Sequence, residues 1–115
     1  MPSFSGAISA EKRANLAWRL IQRNPTAITL YRGSAYLAAQ TVRITFDATS
    51  TEVREAGEAT LRDGVIFGVR DHPTATDTNI QTGDRFNVNG QIYEVMDVIL
   101  LPGSVQAFFM RQSST

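Results

Sequence analysis

The chain contains no cysteine, one histidine, one tryptophan and one lysine among its 115 residues. The absence of cysteine excludes disulfides, zinc–thiolate sites, iron–sulfur clusters and cysteine nucleophiles. A single histidine, His72, argues against a multi-histidine metal site and against a histidine relay built within one chain. The composition therefore removes most of the side chains on which metal binding and catalysis commonly depend.

Two sequence motifs of common enzyme classes are also absent. No G-x-S-x-G nucleophile motif and no G-x-x-x-x-G-K-[ST] phosphate loop occurs. The best catalytic candidate is Asp71-His72-Pro73, since an aspartate beside a histidine can orient the ring. No marked nucleophile accompanies it, so we interpret His72 as a solvated loop histidine. We predict no enzyme activity, no catalytic residues, no cofactor and no metal.

The chain also lacks a long apolar run and an excess of charge. No run approaches the ~20 residues that span a bilayer, and the N-terminus lacks the features of a signal peptide. We therefore expect a soluble intracellular protein without a membrane partner. The 11 basic and 11 acidic residues cancel, which argues against a protein that mainly neutralises nucleic-acid phosphate. Nearly all basic residues are arginine, which favours protein interfaces, although a GC-rich genome explains the same bias.

One helix is predicted near the N-terminus. Residues 1–8 are predicted to form a flexible tail, and Ser9 is placed to cap a helix that runs to Arg23. Asn24-Pro25 ends the helix because proline disfavours helical geometry in the residue before it. The residues predicted to form its sheet-facing apolar stripe are Leu16, Leu20 and Ile21.

The remainder of the chain has the alternation of β-strands. Thr41–Asp47 alternates polar and apolar residues without exception, which is typical of a half-buried antiparallel strand. Strand-like segments separated by turn residues recur about every 8–12 positions. We predict a mainly β fold, a small antiparallel β-barrel or sandwich of about six strands with one N-terminal α-helix. Residues 9–115 would form this single domain.

The clearest local signal is the hairpin in "GDRFNVNGQIYEV", Gly83–Val95. Asn89-Gly90 tolerates the positive φ that both central positions of a type I′ turn require. Asp84, directly after Gly83, is predicted to cap a turn or to accept hydrogen bonds from backbone amides. We interpret these four residues as structural.

Two polar segments, Ala48–Asp63 and Asp71–Thr82, do not have strand patterns. Long loops in compact domains are often functional, although mixed charge of this kind is also typical of a solvated face. Such loops can contact a partner or line a passage for DNA. The candidate interface or channel-loop residues are Glu52, Arg54, Glu55, Glu58, Arg62, Asp71, His72, Thr74, Asp77 and Asn79.

Several predicted strands carry apolar residues on both faces. Phe108 and Phe109 are adjacent, so their side chains point to opposite sides of a strand. Ile99 beside Val98 has the same consequence. Because an antiparallel sheet in a lone domain needs only one apolar face, a neighbouring subunit is the expected cover for the second.

The block Ile80–Arg111 resembles the C-terminal half of small head–tail joining proteins of tailed bacteriophages, which include the head-completion or "stopper" family. The shared pattern is a hydrophobic residue, Gly-Asp, a strand, an Asn-Gly-type turn, a Tyr-x-Val strand and a final hairpin. Arg23–Arg32 also looks like the entry strand of related connector proteins. The positions that match the pattern are Gly83, Asp84, Gly90, Tyr93 and Val95.

This resemblance implies a virion structural protein. It implies a small β-barrel that forms a homo-oligomeric ring of six or twelve copies and is assembled in the host cytoplasm. Expected partners are portal or adaptor and tail proteins, with DNA passing through the channel without sequence recognition. The polar segments Ala48–Asp63 and Asp71–Thr82 would be the gating or contact loops. The alternatives are a neighbouring head–tail adaptor or tail-completion protein, and a non-viral small β-barrel that binds peptide or nucleic acid.

Overall fold

One α-helix and eight β-strands form the part of the chain described by a computed structural model, residues 9–47 and 62–112. The mainly β fold with one helix is confirmed, whereas the predicted strand number of about six is wrong. The elements are α1 (Ala10–Arg23), β1 (Thr26–Ile28), β2 (Tyr31–Arg32), β3 (Ala35–Tyr36), β4 (Gln40–Phe46), β5 (Gly64–Val69), β6 (Arg85–Val88), β7 (Gln91–Leu101) and β8 (Ser104–Arg111).

The strand number differs because the apolar segment Thr26–Arg32 forms two strands, β1 and β2, which lie in different parts of the sheet. β1 pairs with β4, whereas β2 pairs with β6 and with the additional short strand β3. All pairings are antiparallel and the order is β1-β4-β5-β8-β7-β6-β2-β3. The two ends of the curled sheet are thus formed by residues that are close in sequence, and the result is a half-barrel.

Apolar side chains fill the concave interior of the half-barrel. On β8 every second residue is buried, from Val105 through Ala107 to Phe109, which is the expected pattern for a strand with one interior face. The completely buried Phe109 has ring neighbours on three strands, namely Phe46, Phe86 and Tyr93. The buried residues of this cluster are Ile28, Leu30, Val42, Ile66, Ile80, Phe86, Val95, Val105, Ala107 and Phe109.

Helix α1 begins and ends where the sequence predicts. The Ser9 hydroxyl accepts a hydrogen bond from the Lys12 amide at 3.2 Å. Glu11 lies in the first turn, where its negative charge interacts favourably with the positive end of the helix dipole. The cap residue Asn24 donates its amide to the Ile21 carbonyl. Local sequence therefore determines the bounds of this helix.

The predicted sheet-facing stripe of the helix is correct at Ile21 but wrong at Leu16 and Leu20. Leu16 is 51% exposed and Leu20 is 40% exposed, whereas Ala14, Ala17 and Ile21 are buried. The small alanines allow a close approach, with Trp18, Phe67, Val69 and Ala75 packed around them. Two large apolar side chains of the helix consequently remain in contact with solvent.

β7 extends beyond the end of its pairing with β6. β7 pairs with β6 only from Gln91 to Glu94, and its register with β8 shifts at a bulge between Val95 and Asp97. The segment Met96–Leu101 is here called the β7 extension, and its residues Asp97–Leu101 pair with β8, which itself pairs with β5 as far as Ser104. Within residues 9–47 and 62–112, the β7 extension therefore has a neighbouring strand on one side only.

The Asn89-Gly90 turn has the predicted conformation, with φ of 52° at Asn89 and 87° at Gly90. We expect Gly90→Val to lower the free energy of unfolding by about 1–2 kcal/mol, because a β-branched residue is strained in the left-handed region. No heavy atom lies within 4 Å of the position that a Cβ would occupy, so the effect reports backbone strain. Urea denaturation measures it, with Gln91→Val as the control one residue later in extended backbone. Equal stabilities of the two variants would contradict the assignment.

Candidate functional site

A bidentate ion pair joins Arg32 on β2 to Asp84, the residue directly before β6. Arg32 Nε lies 2.9 Å from Asp84 Oδ1, and Arg32 Nη2 lies 2.8 Å from Asp84 Oδ2. Asp84 is 1% exposed and also accepts the Gln81 amide at 2.8 Å. Asp84 therefore accepts a backbone amide as the sequence predicts, but its principal partner, Arg32, is 52 residues away and was not among the predicted site residues.

Arg32 binds more than one element. Its hydrogen bonds to Asp84 raise the pKa of the guanidinium above its ordinary value, so the arginine stays protonated over the whole range in which proteins fold. Its Nη2 also donates to Asn79 Oδ1 at 3.0 Å. The pair thus links β2, the segment after β5 and the start of β6, which is a structural role.

The predicted loop Asp71–Thr82 contains no strand, but it is attached to the sheet. The Thr78 amide donates to the Val69 carbonyl at 2.8 Å, and the Thr78 hydroxyl accepts the Val69 amide at 2.9 Å. Gly68 makes room for this contact, since a Cβ there would lie 2.4 Å from Thr78 Oγ1. Asp77 accepts the amide of Asp71, which has a positive φ of 62°. These hydrogen bonds therefore hold the loop against the end of β5.

His72 caps a turn within this loop. Its Nδ1 lies 2.8 Å from the Ala75 amide and 3.1 Å from the Thr74 amide. Nδ1 therefore serves as the hydrogen-bond acceptor for the backbone of this turn. The ring also packs beside Trp18, with centroids 5.8 Å apart. One of the two ring nitrogens of His72 is thus engaged by the backbone.

An open cleft lies between this loop and the segment before β4. Its walls are held together by a reciprocal pair of hydrogen bonds, from Gln40 Nε2 to the Asn79 carbonyl at 2.9 Å and from the Asn79 amide to Gln40 Oε1 at 2.7 Å. The lining is mostly threonine, alanine and amide side chains, with Trp18 at one side. Among residues 9–47 and 62–112, no group of three His, Asp or Glu side chains is placed to hold a metal ion.

Of the predicted loop Ala48–Asp63, the structure describes only Arg62 and Asp63. The Asp47 amide donates to the Asp63 carbonyl at 2.8 Å, and Arg62 Nε lies 2.7 Å from Asp47 Oδ2. The Arg62 guanidinium also lies 4.8 Å from the centroid of the Phe108 ring. The segment therefore leaves and re-enters the sheet at one point. The predicted site residues outside the described part are Glu52, Arg54, Glu55 and Glu58.

A second cleft follows the opening of the half-barrel between β1 and β6. Arg85 lies over the Tyr31 ring at 4.7 Å, and the Tyr31 and Tyr36 rings are 4.7 Å apart. Tyr36 is 75% exposed. The cleft combines aromatic faces with one cation, which is a surface suited to extended peptide or to single-stranded nucleic acid.

The largest group of exposed apolar side chains lies on the β7 extension. Leu100 is 60% exposed and Met96 48%, and both Ile99 and Leu101 are more than a third exposed. The sequence predicts this excess at Ile99 beside Val98, but not its extent. Asp97 is the sole charged residue of the β7 extension. This surface, and not the polar loops, has the composition of a protein interface.

The structure thus distributes the predicted site residues over separate places. Thr74, Asp77 and Asn79 line the first cleft. Asp71 and His72 belong to the same loop but do not line the cleft, and Arg62 lies at the base of the other loop. No helix within the described part of the chain is long and apolar enough to cross a membrane. Comparison with protein-family models, with curated proteins and with solved structures finds no match to this chain.

Proposed function

We propose that the chain is a structural subunit of the head–tail interface of a tailed bacteriophage, a head-closure or stopper protein that joins the portal or an adaptor to the tail and retains packaged DNA. A neighbouring adaptor or tail-completion protein is the same kind of subunit at an adjacent level. The observation that carries the proposal is the exposed apolar surface of the β7 extension, which a protein partner would remove from water.

The residues that carry the resemblance support the proposal through their structural roles. Gly83 has a φ of 96°, Gly90 completes the β6–β7 turn, and Asp84 binds Arg32. Tyr93 and Val95 pack in the core. The shared pattern therefore corresponds to a hairpin fastened to the sheet, which is the part of a barrel that a ring subunit has to keep rigid.

The loop that starts at Asp47 and returns at Arg62 supports a channel role. Its ends are joined by a hydrogen bond and an ion pair, so the two points between which residues 48–61 run are held together. Their sequence contains Glu52, Glu55 and Glu58. Carboxylates repel phosphate, and a ring of such loops would let DNA pass without adhering to it.

Binding to portal rings tests the proposal. We expect the purified chain, mixed with portal rings encoded in the same genome, to add a ring of density on the tail-facing side in negative-stain images. Portal rings of an unrelated phage are the control, since head-to-tail contacts that close a ring are specific. Portal rings that stay unchanged at saturating concentrations of the chain would contradict the proposal.

The second candidate function is a small β-barrel binding module, which the Tyr31, Tyr36 and Arg85 cleft favours. Tyrosine faces and an arginine can stack with bases or with aromatic peptide side chains. Oligonucleotide and peptide binding measured by fluorescence anisotropy, with Arg85→Ala for comparison, separates this function from assembly. Binding that Arg85→Ala abolishes would favour the module.

A further inference from the structure

The Asn89-Gly90 turn contains the one asparagine of the sequence that is followed by glycine. The other asparagines precede leucine, proline, isoleucine and valine, in the order Asn15, Asn24, Asn79 and Asn87. A side chain on the following residue crowds the backbone nitrogen of that residue, whereas glycine has no side chain. The Gly90 nitrogen is therefore the least shielded neighbour of an asparagine side-chain amide, a group that is labile in proteins.

Both residues of this turn are open to solvent. Asn89 and Gly90 are exposed. Apart from the chain neighbours of Gly90, no heavy atom lies within 4 Å of the position that a Cβ on Gly90 would occupy. Water therefore reaches the atoms that would react, and no packed side chain has to move to admit it.

One hydrogen bond holds the nitrogen that would react with the Asn89 side chain. The Gly90 amide donates to Asn87 Oδ1 at 3.0 Å. Asn87 is three positions earlier on β6, and its side chain bonds the backbone of the turn, as asparagine side chains commonly do. Before it can react, the Gly90 amide has to leave this acceptor, lose its proton and turn toward the Asn89 side chain.

We propose that Asn89 is a site of spontaneous conversion to aspartate and isoaspartate, and that Asn87 slows this conversion by holding the Gly90 amide. Hydroxide removes the amide proton of Gly90, and the nitrogen forms a bond to Asn89 Cγ. The bond from Cγ to the side-chain nitrogen breaks, and that nitrogen takes a proton from water and leaves as ammonia. Water then opens the cyclic imide at one of its two carbonyl carbons. No oxidant or reductant takes part.

The two products differ in their consequence for the β6–β7 hairpin. Opening of the imide at Cγ gives aspartate, which leaves the backbone unchanged and suits the same type of turn. Opening at the main-chain carbonyl carbon gives isoaspartate, in which Cβ becomes part of the backbone. Because Val88 and Gln91 pair directly across the turn, the added carbon disrupts the register of β6 with β7. This conversion is a property of the chain itself and does not depend on the proposed phage function.

Mass spectrometry of the full chain after incubation at neutral pH tests the proposal. Trypsin releases Phe86–Arg111, in which Asn87 and Asn89 are the two asparagines, and electron-transfer fragmentation separates the two positions and identifies isoaspartate. We expect faster conversion at Asn89 than at Asn87, and a rate at Asn89 that rises about tenfold in denaturing urea, where the turn is open. Conversion no faster than at Asn87 in urea, or equal rates in the folded and unfolded chain, overturns the proposal.

Asn87→Ala tests the role of the hydrogen bond. We expect the folded variant to convert at Asn89 about three- to tenfold faster than the native chain, the change that corresponds to the loss of one hydrogen bond. Asn87→Asp keeps the acceptor oxygen and is expected to convert as slowly as the native chain. Thermal melting of each variant shows that the fold is retained.

The matched control for Asn87→Ala is Ile92→Ala. Ile92 lies directly across from Asn87 on β7 and is exposed, so this variant weakens the same hairpin but leaves the bond to Gly90 in place. We expect its rate of conversion to stay close to that of the native chain. An unchanged rate in Asn87→Ala, or an equal acceleration in Ile92→Ala, overturns the role of Asn87.

The separated products test the consequence for the hairpin. The aspartate form, which Asn89→Asp reproduces directly, is expected to melt at the same temperature as the native chain, whereas the isoaspartate form melts at a lower temperature. Equal melting temperatures of the two products would overturn the expected change in register.

Discussion

Asp84→Ala is expected to lower the free energy of unfolding by about 3–5 kcal/mol, the effect of removing one partner from a buried ion pair. The carboxylate is almost completely enclosed and has three short hydrogen bonds, two from Arg32 and one from the Gln81 amide. Without it, a half-buried guanidinium and a backbone donor are left unsatisfied. Chemical denaturation monitored by circular dichroism measures the loss.

Three further variants separate the parts of this effect. Asp84→Asn retains one acceptor oxygen and is expected to lose less than Asp84→Ala. The double variant Arg32→Leu with Asp84→Leu is expected to lose less stability than the summed losses of its two single variants, because no uncompensated charge remains. Glu94→Ala, on the neighbouring strand, controls for the loss of any carboxylate. A loss in Asp84→Ala no larger than in Glu94→Ala would contradict the role of the ion pair.

Phe109→Ala is expected to lower the free energy of unfolding by about 3–5 kcal/mol, the usual range for removal of a buried aromatic ring. The Phe109 ring centroid lies 5.2 Å from that of Phe86 and 5.1 Å from that of Tyr93. Directly across on β5 is Gly64, whose absent Cβ would lie 2.5 Å from the ring. Alanine would therefore leave a cavity that its neighbours cannot fill, which urea denaturation would detect.

Phe108→Ala provides the matched control for Phe109→Ala. The two phenylalanines are adjacent on β8, but Phe108 faces the other side of the sheet and is only partly buried beneath Arg62. We expect less than half the loss of stability. A larger loss in Phe108→Ala than in Phe109→Ala would show that the faces of β8 are assigned in reverse.

Local rules explain the parts of the fold that the sequence predicts. The cap at Ser9, the stop before Pro25 and the turn at Asn89-Gly90 depend on neighbouring residues alone, and all three are found. The alternation on β8 likewise predicts that one phenylalanine is interior, although it does not say which. The contact between Asp84 and the Gln81 amide belongs to the same class, since the two residues are three positions apart.

Contacts between distant residues explain what the sequence does not predict. Periodicity places Leu16 and Leu20 in the core, but alanines approach the sheet more closely and displace them. The short strands β2 and β3 have only two residues each, too few for a pattern, and Arg32 has no nearby partner that would identify it. The cleft at Gln40 and Asn79 also joins residues 39 apart.

The candidate site shows the same division. The sequence identifies His72 and its polar neighbours, but their hydrogen bonds serve the backbone of the loop. It also identifies apolar residues on both faces of β7, and several of these are exposed on the β7 extension. A surplus of apolar residues was therefore a better guide to the candidate interface than the presence of an ionisable cluster.

The distance in sequence between Arg32 and Asp84 has a kinetic consequence. The β6–β7 and β7–β8 hairpins join neighbouring segments, so they can form early, whereas the ion pair requires the closure of a chain of about fifty residues. We therefore expect the ion pair to form after the barrier to folding has been crossed, and interactions of that kind mainly slow unfolding. The Arg32–Asp84 ion pair would then lower the unfolding rate of the half-barrel without raising its folding rate.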